Sequence, residues 1–284
     1  MNDPIISDNK TIFHRSLESG ISGATAMSIN IATLMWLRTT VNYQYRYGVD
    51  MKTAFQTLYK QGGVPRFYKG VIPALFQGPL SRFGDTFANT GTITMLNSYE
   101  PTSSLPIWSK SICASICAAS FRIVLMPIDT LKTTMQVQGS DGISNLKKKL
   151  HKTGPSVLYH GSIASASATF VGHYPWFATY NTLQETIPKG DSNISNLGRN
   201  AAIGFTSTCV SDTLSNSIRV VKVYKQSSVN SISYTNTIQQ IISEDGIASL
   251  FGRGLKTKLL SNGIQGIMFS VLWKYIDEKI FNNS

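Results

Sequence analysis

The sequence has few charged residues and no long apolar run. Asp, Glu, Lys and Arg together make up 14% of its 284 residues, whereas soluble domains carry roughly 25%. No stretch reaches the ~18 consecutive apolar residues that predict an isolated transmembrane helix. Composition therefore leaves two classes open: a soluble helical protein, or a membrane protein whose amphipathic helices surround a polar space.

Acidic residues are scarcer than basic ones, because 15 Asp and Glu stand against 26 Lys and Arg, which gives a net charge of +11. A basic surplus of this size indicates anionic partners, namely nucleic acids, lipid headgroups or anionic solutes. The only dense basic run is Lys147 to Lys149, and no basic stripe is interleaved with aromatic residues. We therefore expect no nucleic-acid partner.

Cysteine and the common catalytic motifs are also scarce. The three cysteines, Cys113, Cys117 and Cys209, have no C-x-x-C spacing, which favours small packing residues over a zinc site or a disulfide framework. The phosphate-binding loop, the zinc-protease helix and the nucleophile elbow are missing from the sequence. We therefore expect no enzymatic activity, no metal site and no cofactor.

The N-terminal stretch carries no familiar targeting segment. Its first fifteen residues, MNDPIISDNKTIFHR, lack the apolar core of a signal peptide. They also lack the acid-free, arginine-rich character of a cleaved transit peptide. If the protein enters an organelle, we expect its address to be internal.

What the sequence does contain is a threefold repeat with two markers. The first marker has copies that begin at Thr33, Pro127 and Ser217, 94 and 90 residues apart, each followed by a base five residues later and an amide nine residues later. The bases are Arg38, Lys132 and Lys222, and the amides are Asn42, Gln136 and Gln226. The second marker ends at Gly70, Gly161 and Gly254, 91 and 93 residues apart. Two markers with one period indicate three repeated units.

Each repeat contains two apolar runs with a short polar segment of helical periodicity between them. The repeats cover about residues 13–98, 106–188 and 197–281. Runs of roughly 20 to 25 residues are long enough to cross a ~30 Å hydrocarbon core. We therefore expect an all-α membrane protein in which six transmembrane helices form three pseudo-symmetric two-helix repeats, each with a short polar helix.

These residues resemble the mitochondrial carrier family, whose motif is P-x-[DE]-x-x-[KR] followed by a short helix, an acid-Gly pair and an aromatic-[KR]-Gly. Pro127, Asp129 and Lys132 match the first part in full, residues 68–70 match the last, and residues 245–246 supply the acid-Gly pair. The resemblance covers about residues 13–280. It implies a single carrier domain over residues 1–284, and it places the short helices on the matrix side.

The resemblance also implies the surroundings of the protein. Family members are multi-pass proteins of the mitochondrial inner membrane, and we expect a monomer. In the family, the starts of the even-numbered helices hold cardiolipin phosphates, which fits the affinity of helix N-termini for anions. Here those starts are at Gly70 and Gly161, so cardiolipin is the expected structural lipid.

In such carriers a proline kinks each odd-numbered helix inward, which predicts a bend at Pro127 here. The acid below it pairs with the base of the next odd-numbered helix and forms a matrix-side gate. The acid positions here hold Met35, Asp129 and Arg219, so one acid remains. Asp129 is expected to pair with Lys222, whereas Met35 offers nothing to Lys132 and Arg219 would face Arg38 as a like charge. A single partly hydrated pair of ~1 kcal/mol makes a weak closure. The implied gate comprises Asp129, Lys132, Lys222 and Arg38, with Gln136 and Gln226 as braces beneath.

The motif expected at the far ends of the even-numbered helices, [FY]-[DE]-x-x-[RK], is also degenerate. The matching positions are Asn89-Thr90, Tyr180-Asn181 with Gln184, and Trp273-Lys274 with Asp277. This departure puts ordinary alternating access in doubt. It motivates an alternative, in which the chain is a degenerate carrier-fold scaffold or insertase of the outer membrane.

A cavity above the gate is expected to hold the substrate. Residues seven before the acid positions share their helical face; these are Ser28, Arg122 and Asp212. Charged groups inside apolar helices are costly unless they are functional or paired, so an Arg122–Asp212 bridge and a substrate role both stay open. The candidate substrate-binding residues are Gln77, Arg82, Arg122, Thr169, His173, Asp212, Ser261, Asn262 and Gln265.

Two of these candidates have plain structural interpretations. Arg82 lies three residues from Asp85 and can neutralise it on the same helix. A lone histidine such as His173 is more often a hydrogen-bonded core residue than a proton carrier. The polar, basic set favours transport of a small anionic metabolite, such as a di- or tricarboxylate like citrate, by alternating access. A soluble helical repeat protein is the third hypothesis.

Overall fold

A computed structural model describes the backbone of residues 4–190 and 192–276. Within these ranges it describes all side chains except those of residues 4–24, 26, 82, 86–87, 89–90, 107–108, 193–194 and 269–276. The described chain consists of helices joined by short turns and contains no strand, which confirms an all-α fold. In chain order the helices are α1 (Pro4–Tyr47), α2 (Met51–Lys60), α3 (Gly63–Phe67), α4 (Val71–Ser98), α5 (Glu100–Ser103), α6 (Ile107–Val124), α7 (Met126–Gln138), α8 (Asp141–Thr153), α9 (Ser162–Thr186), α10 (Asn193–Ser227), α11 (Tyr234–Asp245), α12 (Ile247–Gly252) and α13 (Leu255–Ile276), with a 3₁₀ turn at Pro155–Tyr159.

The long helices form a closed ring. Going round it, α1 packs against α4, α4 against α6, α6 against α9, α9 against α10, α10 against α13, and α13 against α1. At one end α1, α7 and α10 also contact one another. The ring is therefore closed at the end that carries α7 and the short helices, which we call the closed end.

Three rods of the ring, α1, α6 with α7, and α10, correspond to the odd-numbered helices of the sequence prediction, and we call them the odd-numbered rods. One of these three is sharply bent. α6 and α7 meet at 64°, at Leu125 and two residues before Pro127. Proline removes a backbone donor and clashes with the preceding turn, so the bend predicted from Pro127 is confirmed. At the equivalent Thr33 and Ser217 the helices α1 and α10 continue without a break.

The length and hydropathy of a helix decide whether it can cross a membrane. Among the described residues, no single helix is both long and apolar enough to cross a membrane. The bent pair Ser109–Val124 and Met126–Gln138 meets the same requirement when the two helices are taken together.

The three marker glycines share one backbone conformation. Gly70, Gly161 and Gly254 have φ of +88°, +90° and +64°, a region that residues with a Cβ rarely adopt. Each glycine also packs closely on the next odd-numbered rod. A Cβ on Gly70 would lie 3.0 Å from the carbonyl oxygen of Lys132, and one on Gly161 would lie 3.1 Å from Cγ of Gln226. Glycine is therefore required at these positions for both conformation and contact.

Short helices pack on the outside of the closed end. The carboxylate of Asp50 accepts from the backbone N–H groups of Lys52 and Thr53 and so caps the start of α2. Hydrogen bonds from the Thr53 side chain, and then from its backbone, lower the pKa of Asp50. At the closed end, an apolar cluster joins α1, α7, α10, α11 and α12. Its members are Val41, Tyr45, Val137, Val220, Val221, Val223, Tyr224, Ile241 and Leu250.

Two buried arginines tie neighbouring repeats together at the closed end. Arg66, which is 4% exposed, donates to the carbonyl oxygens of Gln136 and Val137 at 2.9 and 2.7 Å. Arg253, also 4% exposed, donates to the carbonyls of residues 45 and 46. These carbonyls lie at the C-termini of α7 and α1, where they lack helical partners and carry partial negative charge. Each guanidinium therefore caps a helix of the next repeat.

We predict that Arg66→Met lowers the free energy of unfolding by about 2 kcal/mol, because hydrogen bonds from charged donors contribute ~1.5–3 kcal/mol and their loss leaves the C-terminal carbonyls of α7 unpaired. Arg66→Lys should restore only part of this, since one ammonium cannot reproduce the fork of the guanidinium. Unfolding of the purified chain in detergent measures the effect. Lys60→Met, which removes an exposed base from α2, is the matched control; equal stability of the Arg66 and Lys60 variants would contradict the capping role.

Candidate functional site

Two cavities inside the ring share a boundary. The larger, of about 540 Å³, is lined by residues of α4, α6, α7, α9 and α10. The smaller, of about 180 Å³, is lined by residues of α1, α4, α7, α10 and α13. Asp129, Lys132, Arg219 and Lys222 line both cavities. These four side chains therefore separate the two spaces, at the level where the sequence predicts a gate.

Asp129 is the centre of this boundary. Its carboxylate is 5% exposed and accepts from the Nζ atoms of Lys132 and Lys222, both at 2.7 Å. The side-chain amide of Gln226 donates to the same carboxylate at 3.2 Å. The expected pair between Asp129 and Lys222 is therefore present, and Lys132 adds a second partner from the same helix. Because the two lysines offset the burial of this carboxylate, removing the carboxylate should cost more than breaking the single hydrated pair that the sequence suggested.

The remaining gate residues use amides in place of acids. Arg38 donates to Oε1 of Gln265 at 2.6 Å. Gln136 accepts from the side-chain amide of Asn42 and donates to the sulfur of Met35 at 3.6 Å. The amides at the brace positions thus connect α1 with α7, and α10 with Asp129.

Arg219 is paired along its own helix. Its guanidinium lies 3.5 Å from the carboxylate of Asp212 and donates to Oγ of Ser215 at 3.2 Å. The same carboxylate accepts from Asn262 of α13. The surplus base at the third acid position is therefore paired along α10, with Asp212 shared between α10 and α13.

The hypothesis of an Arg122–Asp212 bridge is wrong. Arg122 forms an ion pair with Asp85 at 2.7 Å, and Asp212 is held by Arg219 and Asn262. The cause is the order of helices in the ring, because α6 packs directly against α4 and α9 while α10 lies beyond α9. Asp85 is thus paired across helices. The side chain of Arg82, its expected partner, lies outside the described residues.

Three further candidates line the larger cavity. Nδ1 of His173 lies 2.6 Å from Oγ of Ser115, which supports the hydrogen-bonded interpretation of this histidine. Oγ1 of Thr169 donates to the carbonyl of Ser165 at 3.1 Å. Gln77 accepts from Lys132 at 3.1 Å and so links the cavity wall to the boundary.

The candidate substrate-binding residues on α13 do not line the larger cavity. Ser261 and Gln265 line the smaller cavity and are hydrogen-bonded to each other at 2.9 Å, and Asn262 accepts from Lys258 at 3.2 Å. Gly254 packs against residues 44 and 45 of α1, nearer the end of that helix than the positions equivalent to Lys132 and Lys222. Because α13 starts closer to the closed end than α4 and α9 do, its residues lie at the depth of the boundary.

An aromatic wall was not predicted from the sequence. Trp176 and Phe177 line the larger cavity beside His173, with ring centroids of Trp176 and Phe177 4.9 Å apart. Trp176 also stacks on Tyr180 at 5.0 Å with planes inclined by 10°, and donates to Thr208 at 3.2 Å. Helical spacing from Thr169 and His173 leads to Trp176, so extending that face by one turn would have found it.

Of the motif positions expected near the far ends of α4, α9 and α13, only those on α9 have described side chains. There Gln184 donates to the hydroxyl of Tyr180 at 3.1 Å and accepts from Arg199. The side chains at positions 89, 90, 273 and 274, and all of Asp277, lie outside the described residues. The predicted weakness of this second gate stays a prediction.

The helix starts predicted to bind cardiolipin differ in their surroundings. At α9, which follows Gly161, the hydroxyl of Tyr234 already accepts from the backbone N–H of Ala164 at 3.3 Å. At α4, which follows Gly70, the carbonyl of Gly70 accepts from Ala74, as that of Gly161 accepts from Ser165. Lipid binding at Gly70 and Gly161 stays a prediction.

Most of the chain is similar to known proteins. A family described as mitochondrial carrier protein matches residues 103–191 and 194–284, which together are more than half of the sequence. A mitochondrial substrate carrier family protein of Dictyostelium discoideum is 25% identical over 238 residues, 78% of this chain and 83% of that protein.

Two further relatives are matched over shorter lengths. A mitochondrial carrier-like protein of Acanthamoeba polyphaga mimivirus is 24% identical over 59% of this chain and 65% of its own length. The mitochondrial thiamine pyrophosphate carrier 1 of Candida albicans is 23% identical over 61% of this chain and 60% of its own length. The chain thus spans less than two thirds of each of these two proteins.

We predict that Asp129→Asn lowers the free energy of unfolding by about 3 kcal/mol, because it leaves two buried ammonium groups without a carboxylate. Thermal unfolding of the purified chain in detergent measures this. Glu185→Gln, which neutralises an exposed acid at the end of α9, should change stability little. A loss no larger for Asp129→Asn than for Glu185→Gln would remove Asp129 from the closing role.

Proposed function

The chain belongs to the mitochondrial carrier protein family, and we propose that it transports a small anionic metabolite across the mitochondrial inner membrane. Proteins of this family carry solutes across a membrane. In the proposal the six rods of the ring, with α6 and α7 counted as one, span the bilayer. The larger cavity holds the solute, and the closed end faces the matrix.

The charge of the larger cavity is the observation that carries the anionic assignment. Four bases, Arg122, Lys132, Arg219 and Lys222, line it against two acids, Asp85 and Asp129. Its volume of about 540 Å³ lies within the ~300–1,000 Å³ usual for small-molecule sites. A basic chamber with low-dielectric walls attracts and concentrates anions.

The position of the bases suggests how binding opens the closed end. Lys132 and Lys222 hold Asp129 and also border the larger cavity. An anion that reaches these ammonium groups competes with the carboxylate for them. A ligand shifts a conformational equilibrium only through its different affinities for the two states. Here that difference arises because the anion binds the lysines best when they are released from Asp129.

The aromatic wall supports a solute that carries a planar ring beside its anionic group. Rings stack on aromatic side chains, and Trp176 and Phe177 lie above the bases in the same chamber. Citrate and similar carboxylates would use the bases alone, and no comparison supports them. The name of the Candida albicans relative refers to thiamine pyrophosphate, which has both a heteroaromatic ring and an anionic group.

Uptake into liposomes that contain the purified chain tests the proposal. We predict saturable uptake of a labelled anion, reduced about tenfold or more in Arg122→Gln, because a hydrogen bond from a charged donor contributes ~1.5–3 kcal/mol. Lys52→Gln, at an exposed base on α2, should transport normally. Absence of uptake across carboxylates, nucleotides and amino acids, together with outer-membrane fractionation, would favour the scaffold or insertase alternative that the missing acids at positions 35 and 219 motivate.

We further predict that Trp176→Leu selects against ring-bearing anions. Their uptake should fall about tenfold, since aromatic stacking contributes ~1–3 kcal/mol, whereas uptake of carboxylates without a ring should be unchanged. Competition between the two kinds of solute in the same liposomes measures the ratio directly. Phe76→Leu, at a ring that is 63% exposed and does not line the cavity, is the control. An equal loss for both kinds of solute would contradict the aromatic contribution.

A further inference from the structure

The smaller cavity contains more positive charge than its carboxylates balance. Its lining includes five bases, Arg38, Lys132, Arg219, Lys222 and Lys258, and among the described lining residues Asp129 is the single acid. Asp212 does not line the cavity, but its carboxylate lies 3.5 Å from the guanidinium of Arg219. Even with Asp212 included, the described acids leave the five bases with a surplus of three positive charges.

The surplus arises at the positions equivalent to Asp129. The first copy has Met35 there and the third has Arg219, so one carboxylate is replaced by a thioether and another by a base. Met35 is fully buried, and its sulfur accepts from Gln136. The three bases of the repeat remain at Arg38, Lys132 and Lys222. The same depth of the ring therefore holds four bases and one acid.

Like charges that share a cavity with protein walls repel one another more strongly than they do in water. The two lysines that share Asp129 each gain from that carboxylate, but Arg38 and Lys258 face the same space. The closed state holds the positive groups of α1, α7, α10 and α13 around one space, and their mutual repulsion disfavours that state. An anion that enters the space offsets the repulsion and therefore favours the closed state.

The dimensions and donors of the cavity indicate which anion fits. About 180 Å³ is the volume of roughly six water molecules at ~30 Å³ each, which admits a compact oxyanion with some hydration. Lysine ammonium groups and arginine forks bind phosphate oxygens well. The amide of Asn42 and the hydroxyl of Ser261 line the same space and add neutral hydrogen-bonding groups.

We propose that the smaller cavity is a binding site for an inorganic oxyanion of the phosphate class, separate from the solute chamber. The bound anion takes the place of the acids missing at positions 35 and 219. It neutralises the bases of α1, α10 and α13 and so stabilises the closed end. In contrast to the solute, which releases the lysines from Asp129, this anion holds the three odd-numbered rods together.

Thermal unfolding of the full chain in detergent tests the site with inorganic phosphate as the probe, at ionic strength held constant with a bulky organic sulfonate. For a ligand that binds the folded state, the unfolding temperature should rise with the logarithm of phosphate concentration above the dissociation constant. Equilibrium dialysis with labelled phosphate should give one bound ion per chain. Absence of both effects would overturn the proposal.

Arg219→Glu restores an acid at the third position, with loss of the pair to Asp212, and should weaken phosphate binding about tenfold or more. Lys52→Glu makes the same charge change at an exposed site on α2 and should respond like the wild type. An equal phosphate response in wild type and Arg219→Glu would overturn the site. If Arg219→Glu fails to fold, Lys258→Met, which removes one base of the smaller cavity, should show the weaker response.

Arg122→Gln distinguishes the two cavities, since Arg122 lines only the larger one. It should keep the phosphate response of the wild type. A loss as large as that in Arg219→Glu would place the ion in the larger cavity and overturn the assignment. Since these measurements involve no transport, their failure would leave the proposed carrier function intact, and a failure of transport would leave this site intact.

Discussion

The closed end of this molecule depends on one buried carboxylate held between two lysines. Asp129 sits in the first turn of α7, immediately after the bend at Pro127, and binds Lys132 of its own helix and Lys222 of α10 at 2.7 Å each. An unpaired charge in this position would be strongly destabilising. The bend brings α7 toward α1 and α10, and the ion pair and amides hold the three helices there.

Around this interaction the three repeats share their backbone arrangement but differ in their charged residues. The marker glycines keep their left-handed conformation in all three copies, because each must approach the next rod closely. The acids are retained in one copy, and amides at 42, 136 and 226 supply the other contacts. The result is a ring whose closure is asymmetric: ionic between α7 and α10, and based on neutral hydrogen bonds between α1 and α7.

The sequence was sufficient for the all-helical plan, which follows from periodicity and repeat alignment. The resemblance to mitochondrial carriers added the bend at Pro127 and the pair between Asp129 and Lys222. The sequence was insufficient for Arg122, whose partner depends on which helices are neighbours in the ring and on how each is rotated. It was also insufficient for the depth of α13, since the contact of Gly254 with α1 sets that depth. Trp176 was missed because the helical face through Thr169 and His173 was not followed one turn further.

The account rests on a direct coupling between Asp129 and Lys222 across the closed end. A double-mutant cycle in unfolding free energy, with Asp129→Asn, Lys222→Gln and the combined variant, measures that coupling while cancelling the separate effects of each change. The account predicts that the two losses are not additive and that the coupling is about 1 kcal/mol or more, as expected for residues in one ionic network. Additive losses would show that the two residues act independently and would contradict the closing role of this pair.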